Sequence, residues 1–250
     1  MIDTISKHRT IRKYKKTSIN DITLNQILEA GIRASTTGNM QVYSIIITRD
    51  EEKKKQLAPC HFNQAMVTQA PVLLTFCADF NRFNRWCEFR DAKPGYDNFL
   101  SFYTASIDAL LVAQNVCLAA EDKGLGICYL GTTTYNAKKI IEILELPKGV
   151  IPVTTITLGY PDEKPELTDR LPLSAIIHNE TYKDYTKDSI NKIYAEKEAL
   201  KQTIELLKEN QKETLAQIFT DKRYTKKDNI AFSKAFLDAI KEQGFFNHED

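Results

Sequence analysis

Ile5-Ser6-Lys7-His8-Arg9-Thr10-Ile11-Arg12-Lys13-Tyr14 crowds five basic residues around the hydroxyl of Thr10 and sets apolar side chains at Ile5, Ile11 and Tyr14. Those apolar positions dock the segment on a core, so its arginines are aimed at a ligand rather than left as a loose basic arm. A phosphomonoester suits them: it carries about two negative charges at neutral pH, and guanidinium forks meet its acceptor oxygens with paired, charge-assisted hydrogen bonds. The competing reading is a solvated charged face at the start of the chain. The rest of the sequence has to decide between them.

The chain has 250 residues, 42% hydrophobic and 27% charged, enough for one globular domain with a substantial core or one domain plus an appendage. A net charge of +1, from 34 Lys and Arg against 33 Asp and Glu, supplies no overall field for a nucleic acid or an anionic membrane. No apolar leader opens the chain, and Asp108, Gln114 and Asn115 interrupt the longest apolar stretch, Phe99 to Ala120. The expectation is a cytoplasmic protein without a membrane span. The five cysteines lack CxxC spacing and the four histidines lack HExxH spacing, so neither a disulfide framework nor a metal site is expected.

Taken in order, Ile22 to Ile32 has helical spacing, with Thr23 and Gln26 as its capping box. An uncharged donor-rich loop, Ser35 to Gln41, leads to a β-branched strand, Val42 to Thr48, and a short charged helix, Glu51 to Leu57, precedes a second strand at Pro71 to Ala78. Phe83 to Asp97 reads as irregular. Tyr103 to Lys123 is apolar almost all round and so reads as a buried central helix. A third strand, Ile127 to Leu130, ends in Gly131-Thr132-Thr133-Thr134; Asn136 caps the next helix, and Val153 to Leu158 is a fourth strand. Strands and helices alternate, which gives an α/β or α+β class. After a proline-punctuated stretch to Pro172, a long charged helix is expected from Ser189 to Phe219, and a last one carries Phe232, Phe236, Ala239 and Ile240 before Gly244.

Gly126 to Thr133 has the glycine spacing of a phosphate-binding P-loop, but Thr132 stands where the lysine must be, and Gly124-x-Gly126 lacks the third glycine of a dinucleotide-binding turn. No Gly-x-Ser-x-Gly elbow is present. His8-Arg9-Thr10-Ile11-Arg12-Lys13-Tyr14 resembles instead the N-terminal flavin-phosphate motif of the nitroreductase family, in its NADPH-dependent, FMN-containing nitroreductase and flavin reductase branch. Asp79-Phe80-Asn81-Arg82, Ala113-Gln114-Asn115, Tyr129-Leu130-Gly131, Leu158-Gly159-Tyr160-Pro161 and Arg170-Leu171-Pro172 follow in that branch's order.

The resemblance implies an α+β fold with a mixed, mainly antiparallel sheet flanked by helices and a helical C-terminal arm. It divides the chain into an FMN-binding domain, residues 1–182, and an extension, 183–250, packed on the same fold or on a partner subunit. It assigns the FMN phosphate to His8, Arg9, Thr10, Arg12 and Arg170. Thr36 and Gln64 are assigned to the flavin or ribityl chain, and the Tyr129-Leu130-Gly131-Thr132 turn runs beside the isoalloxazine. Thr168, Thr132 and Thr134 depart from the branch, which commonly has lysine, glycine and arginine there. The implied activity is hydride transfer from NAD(P)H, NADPH by preference, to flavin and on to nitroaromatics, quinones or free flavin by ping-pong turnover in a homodimer. No catalytic side chain is implied. Lys222, Arg223 and Lys226 lie in the densest basic run outside the N-terminus and are the candidates for the NADPH 2′-phosphate. The rival reading is a non-enzymatic protein that binds a flavin or another phosphorylated ligand.

Overall fold

The computed structural model describes residues 3–248. The elements run α1 (Asp3–Ser6), α2 (Asp21–Gly31), β1 (Tyr43–Thr48), α3 (Glu51–Leu57), α4 (Ala65–Gln69), β2 (Val72–Asp79), α5 (Asn81–Glu88) and α6 (Phe99–Asp122). They continue with β3 (Gly126–Leu130), α7 (Ala137–Leu144), β4 (Val150–Gly159), α8 (Lys187–Ala199), α9 (Lys201–Asn210), α10 (Leu215–Ile218) and α11 (Lys226–Glu242). The class is α+β. Among the described residues the sheet has the order β1-β2-β4-β3 and every strand pair is antiparallel, the parallel component being a single bridge from Thr10 to Ile127.

Both faces of the sheet are covered, which is why β2 is buried at every position and reads as a continuous apolar run rather than an alternating one. Val72, Leu74 and Phe76 face α2 and α6, while Leu73 faces the other way, toward Leu57, Val67 and Ile140. Gly31 lets α2 approach α6 closely, since a Cβ there would stand 2.2 Å from Val116 Cγ2. A third cluster at the end of the sheet joins Val42, Ala78, Phe80 and Phe102 to Ile240 and Phe245 of the C-terminal segment.

The chain forms two compact units, one running to Glu166 and resuming at Phe232, the other spanning Leu167–Ala231. The sequence reading drew its boundary after Tyr182 instead. Within the second unit, the long helix expected from Ser189 to Phe219 is broken: Leu200 is extended between α8 and α9, and Gln211 closes α9 in a left-handed conformation. Lys197 pairs with Asp169 at 2.6 Å and Lys212 with Asp221 at 2.7 Å.

Three further local expectations are corrected. The N-terminus of α2 is capped by Asn20, whose Oδ1 accepts from Thr23 N at 2.7 Å, so Thr23 and Gln26 form no capping box. Replacing Asn20 with Ala should cost about 0.5–2 kcal/mol, read as a lowered Tm. The stretch expected to be irregular begins with a helix, α5, before the chain loses regular structure at Phe89. Asn136 sits before α7 without capping it; its amide donates to Cys60 O at 2.7 Å.

Helix α6 starts at Phe99, where Asn98 Oδ1 accepts from Ser101 N. It is long and apolar enough to cross a membrane by length and composition, yet Ala105, Ala109, Val112, Ala113 and Val116 are fully buried within this fold. The opposite face is open. Leu100, Tyr103, Ile107, Leu110 and Leu111 form one stripe and remain 41–70% exposed.

Candidate functional site

The basic segment is fastened to β3. Ile11 N donates to Ile127 O at 2.9 Å, and Gly126 admits the contact because a Cβ there would meet Ile11 at 2.5 Å. Ile11 and Tyr14 are buried as expected, whereas Ile5, the third apolar position of the segment, is 50% exposed in the short α1 and docks on no core among the described residues; the Tyr14 hydroxyl lies 2.6 Å from Ile11 O and 2.6 Å from Thr157 Oγ1. Burial raises the Tyr14 pKa, so the phenol stays protonated.

Between these anchors the cationic side chains differ in freedom. His8 Nδ1 lies 2.6 Å from Glu121 Oε1. The Arg9 guanidinium donates from Nε to Pro165 O and from Nη1 to Lys7 O, both at 2.9 Å. Arg12 is exposed and its guanidinium has no partner among the described residues, while its backbone N–H and that of Lys13 donate to Glu163 Oε1. Thr10 is partly exposed, and its bridge to Ile127 is made by the backbone.

At its far end β3 runs from Tyr129 and buried Leu130 into the Gly131–Asn136 turn. Thr133 N and Oγ1 both donate to Leu130 O, and Tyr135 N donates to Thr132 O. Gly131 is exposed, and a Cβ built on it would meet nothing within 4 Å, so the backbone there is open to a flat ligand. The Tyr129 hydroxyl reaches Gln114 Oε1 only at 3.5 Å, and burial holds it protonated.

A second loop closes on this turn. Ala58–His61 makes a 3₁₀ turn, Phe62 and Asn63 follow in the left-handed region at φ 54° and 52°, and Gln64 Nε2 donates back to His61 O at 3.0 Å. Three contacts join loop to turn: His61 Nδ1 to Thr132 Oγ1 at 2.8 Å, Asn136 to Cys60 O, and Phe62 against Tyr135, whose ring also stacks on Phe232 at 4.3 Å. Gln64 therefore belongs to the loop that packs on the Gly131–Thr132 turn, the direct contacts being made by Cys60, His61 and Phe62.

Thr36 lies elsewhere. Its neighbour Thr37 donates from N and Oγ1 to Asp108 Oδ1 midway along α6, whereas His8 pairs with Glu121 near that helix's end. The two anchors are 13 residues apart, or roughly 20 Å along an α-helix. Arg170, Lys222, Arg223 and Lys226 belong to the second unit. There Arg170 donates to Thr168 O and Asp169 O, and Arg223 lies over the Phe219 ring with its Cζ 5.9 Å from the centroid.

His61 was missed by the sequence reading. It is fully buried, and burial lowers its pKa from 6.5 to about 4, so it is neutral near pH 7. Between pH 6.5 and 4 the unfolded chain binds a proton that folded His61 refuses, so this group's contribution to stability is intact above about pH 6.5 and is lost as pH falls toward 4. The loss should reach about 2 kcal/mol at pH 5. Urea unfolding across pH 5–7 in the parent and in His61→Asn checks this, since the variant should lose that part of the slope.

Among the described residues, no group of three or more His, Cys, Asp or Glu side chains is placed to hold a metal ion. A family model described as the nitroreductase family matches residues 5–160. An NADPH-flavin oxidoreductase from Vibrio harveyi is 35% identical over 191 residues, 76% of this chain and 77% of its own length. The crystal structure of a Bacteroides fragilis NCTC 9343 protein superposes with a TM-score of 0.97 at 56% identity, covering 98% of this chain and all of the other. NADPH:FMN oxidoreductase from Vibrio harveyi, solved with NAD+, superposes at 0.80 with 30% identity over 96% of each chain. The chain is a member of the nitroreductase family.

Proposed function

We propose that this protein is an FMN-dependent oxidoreductase that draws on NADPH and reduces small-molecule oxidants of the nitroaromatic, quinone or free flavin type. The carrying observation is that β3 is gripped at one end by the basic segment and opens at the other into a turn clamped to the Gln64 loop. The donor set suits FMN. His8, Arg9, Thr10 and Arg12 offer cationic and neutral N–H and O–H groups to a phosphate, the Arg12 fork is unengaged among the described residues, and Gly131 leaves backbone open where a planar ring would lie.

Bound FMN would supply the two-electron chemistry, taking hydride from the nicotinamide and passing it to the oxidant. The protein's own groups bind and orient. In this reading residues 1–182 are the flavin-binding portion, with Arg170 as a further phosphate ligand, and 183–250 the extension. Lys222, Arg223 and Lys226 attract the NADPH 2′-phosphate, so Arg223→Ala should lower the NADPH-to-NADH ratio of kcat/KM by roughly 5-fold, an effect that fades in high salt.

The protein acts as a homodimer. The apolar stripe on α6 suits a second copy, and a boundary between two copies accommodates the separation of Thr36 from the basic segment, with Thr36 contributed by the other subunit. A cytoplasmic location goes with this reading, and the burial of the inner face of α6 in the fold supports a core role for that helix rather than a membrane span. Purification tests the central reading: a yellow protein that bleaches with NADPH and recovers with a nitroaromatic or air supports it, and a colourless protein that cannot take up FMN overturns it.

A further inference from the structure

His61 and Thr132 form a buried pair with an unbalanced count of donors and acceptors. Nδ1 of the neutral imidazole is engaged with Thr132 Oγ1, and Nε2 is buried without a partner among the described residues. In one tautomer Nε2 carries the hydrogen, a buried N–H lacking any acceptor, while Nδ1 accepts from the Thr132 hydroxyl. In the other, Nδ1–H donates to Thr132 Oγ1 and Nε2 is a bare lone pair. Orphaned buried N–H groups are the rarer case, and the tautomer follows from the bond the other nitrogen makes. The Nδ1–H form is favoured.

This tautomer has a consequence for Thr132. Its oxygen accepts from the imidazole, its own hydrogen has no acceptor among the described residues, and the residue is partly exposed at the open end of β3. The backbone that carries the imidazole is held on both sides, Cys60 O accepting from Asn136 Nδ2 and His61 O from Gln64 Nε2. Thr132 is itself β-branched and stiff at χ1.

We propose that His61 is a positioning residue whose Nδ1–H fixes Thr132 Oγ1, so that the Thr132 hydroxyl donates into the flavin site and adds a side-chain donor to a turn that otherwise offers backbone N–H groups. The inference rests on the proposed function, since it assigns Thr132 a bound flavin as acceptor. A donor so placed stabilises electron density on that flavin and favours addition of sulfite to it.

The test uses the FMN-loaded full chain and reads sulfite affinity from the loss of flavin absorbance, the midpoint potential by dye equilibration, and the FMN dissociation constant by fluorescence. Thr132→Val should weaken sulfite binding roughly 3- to 10-fold, the worth of one neutral hydrogen bond, and lower the potential, while Thr132→Ser keeps the parental values. His61→Asn, which can place an amide N–H where Nδ1–H stood, should stay near the parent. His61→Gln, whose amide extends beyond it, should match Thr132→Val, and the Thr132→Val/His61→Gln double variant should go no further than either. Parental sulfite affinity and potential in Thr132→Val overturn the inference, as does His61→Gln at parental values. A parent that takes up no FMN overturns the proposed function and this inference together; FMN uptake with unmoved sulfite affinity overturns this inference alone.

Discussion

Leu111→Glu should convert the proposed homodimer to a monomer at micromolar concentration, with sedimentation equilibrium as the measurement. Leu111 is 44% exposed and sits beside Leu110, Ile107, Tyr103 and Leu100 on one face of α6. A two-fold interface uses the same patch twice, so one substitution removes two leucines from it and brings in two carboxylates. Losing the partial burial of two leucines and desolvating two unpaired charges raises the dissociation constant on the order of 1,000-fold or more. Glutamate is a good helix former and the position faces outward in the protomer, so α6 itself should persist, with unchanged far-ultraviolet circular dichroism. If Thr36 comes from the second copy, the monomer should also lose FMN. A variant that stays dimeric, or a parent that is monomeric, removes the stripe as the dimer interface.

The parts of the fold that sequence made legible are those set by local periodicity. Leu24 and Ile27 recur at helical spacing and are buried in α2, and the apolar runs at Val72 to Ala78 and Val153 to Leu158 lie within β2 and β4. Ile11 and Tyr14 were legible as docking positions because apolar side chains amid charges gain by burial, but the same argument fails for Ile5, which is half exposed in a four-residue helix that has no buried residue. Helix α5 was obscured because arginines and asparagines outnumber its apolar residues, none of which is buried. The break at Leu200 has no glycine or proline to announce it; Thr203 Oγ1 donates across it to Lys197 O.

The site was legible where a motif is contiguous and hidden where it is long-range. Arg9, Thr10 and Arg12 lie within one decapeptide, and Gly131-Thr132 directly follows a strand. His61 and Thr132 are 71 residues apart, and His8 and Glu121 are 113 apart, so no spacing rule joins either pair. The signal that could have drawn attention to His61 is its place three residues before Gln64, in a loop already assigned to the flavin.

Arg12→Ala should weaken FMN binding roughly 10- to 150-fold, the range for charge-assisted hydrogen bonds worth about 1.5–3 kcal/mol. Arg12 is the better target than Arg9. Two of the Arg9 donors are committed to Pro165 O and Lys7 O, whereas the Arg12 guanidinium meets no protein acceptor among the described residues. The fold should tolerate the change, because the side chain is exposed and the bond from the residue 12 backbone N–H to Glu163 remains in an alanine variant. Riboflavin, which lacks the phosphate, separates the effect from general damage: its affinity should be the same in parent and variant, and Arg12→Lys should fall between parent and Ala because it keeps charge but loses the planar fork. Fluorescence titrations of apoprotein with both flavins decide the matter. An unchanged FMN affinity in Arg12→Ala, or an equal loss for FMN and riboflavin, would show that the guanidinium does not hold the phosphate and return the basic segment to a solvated face.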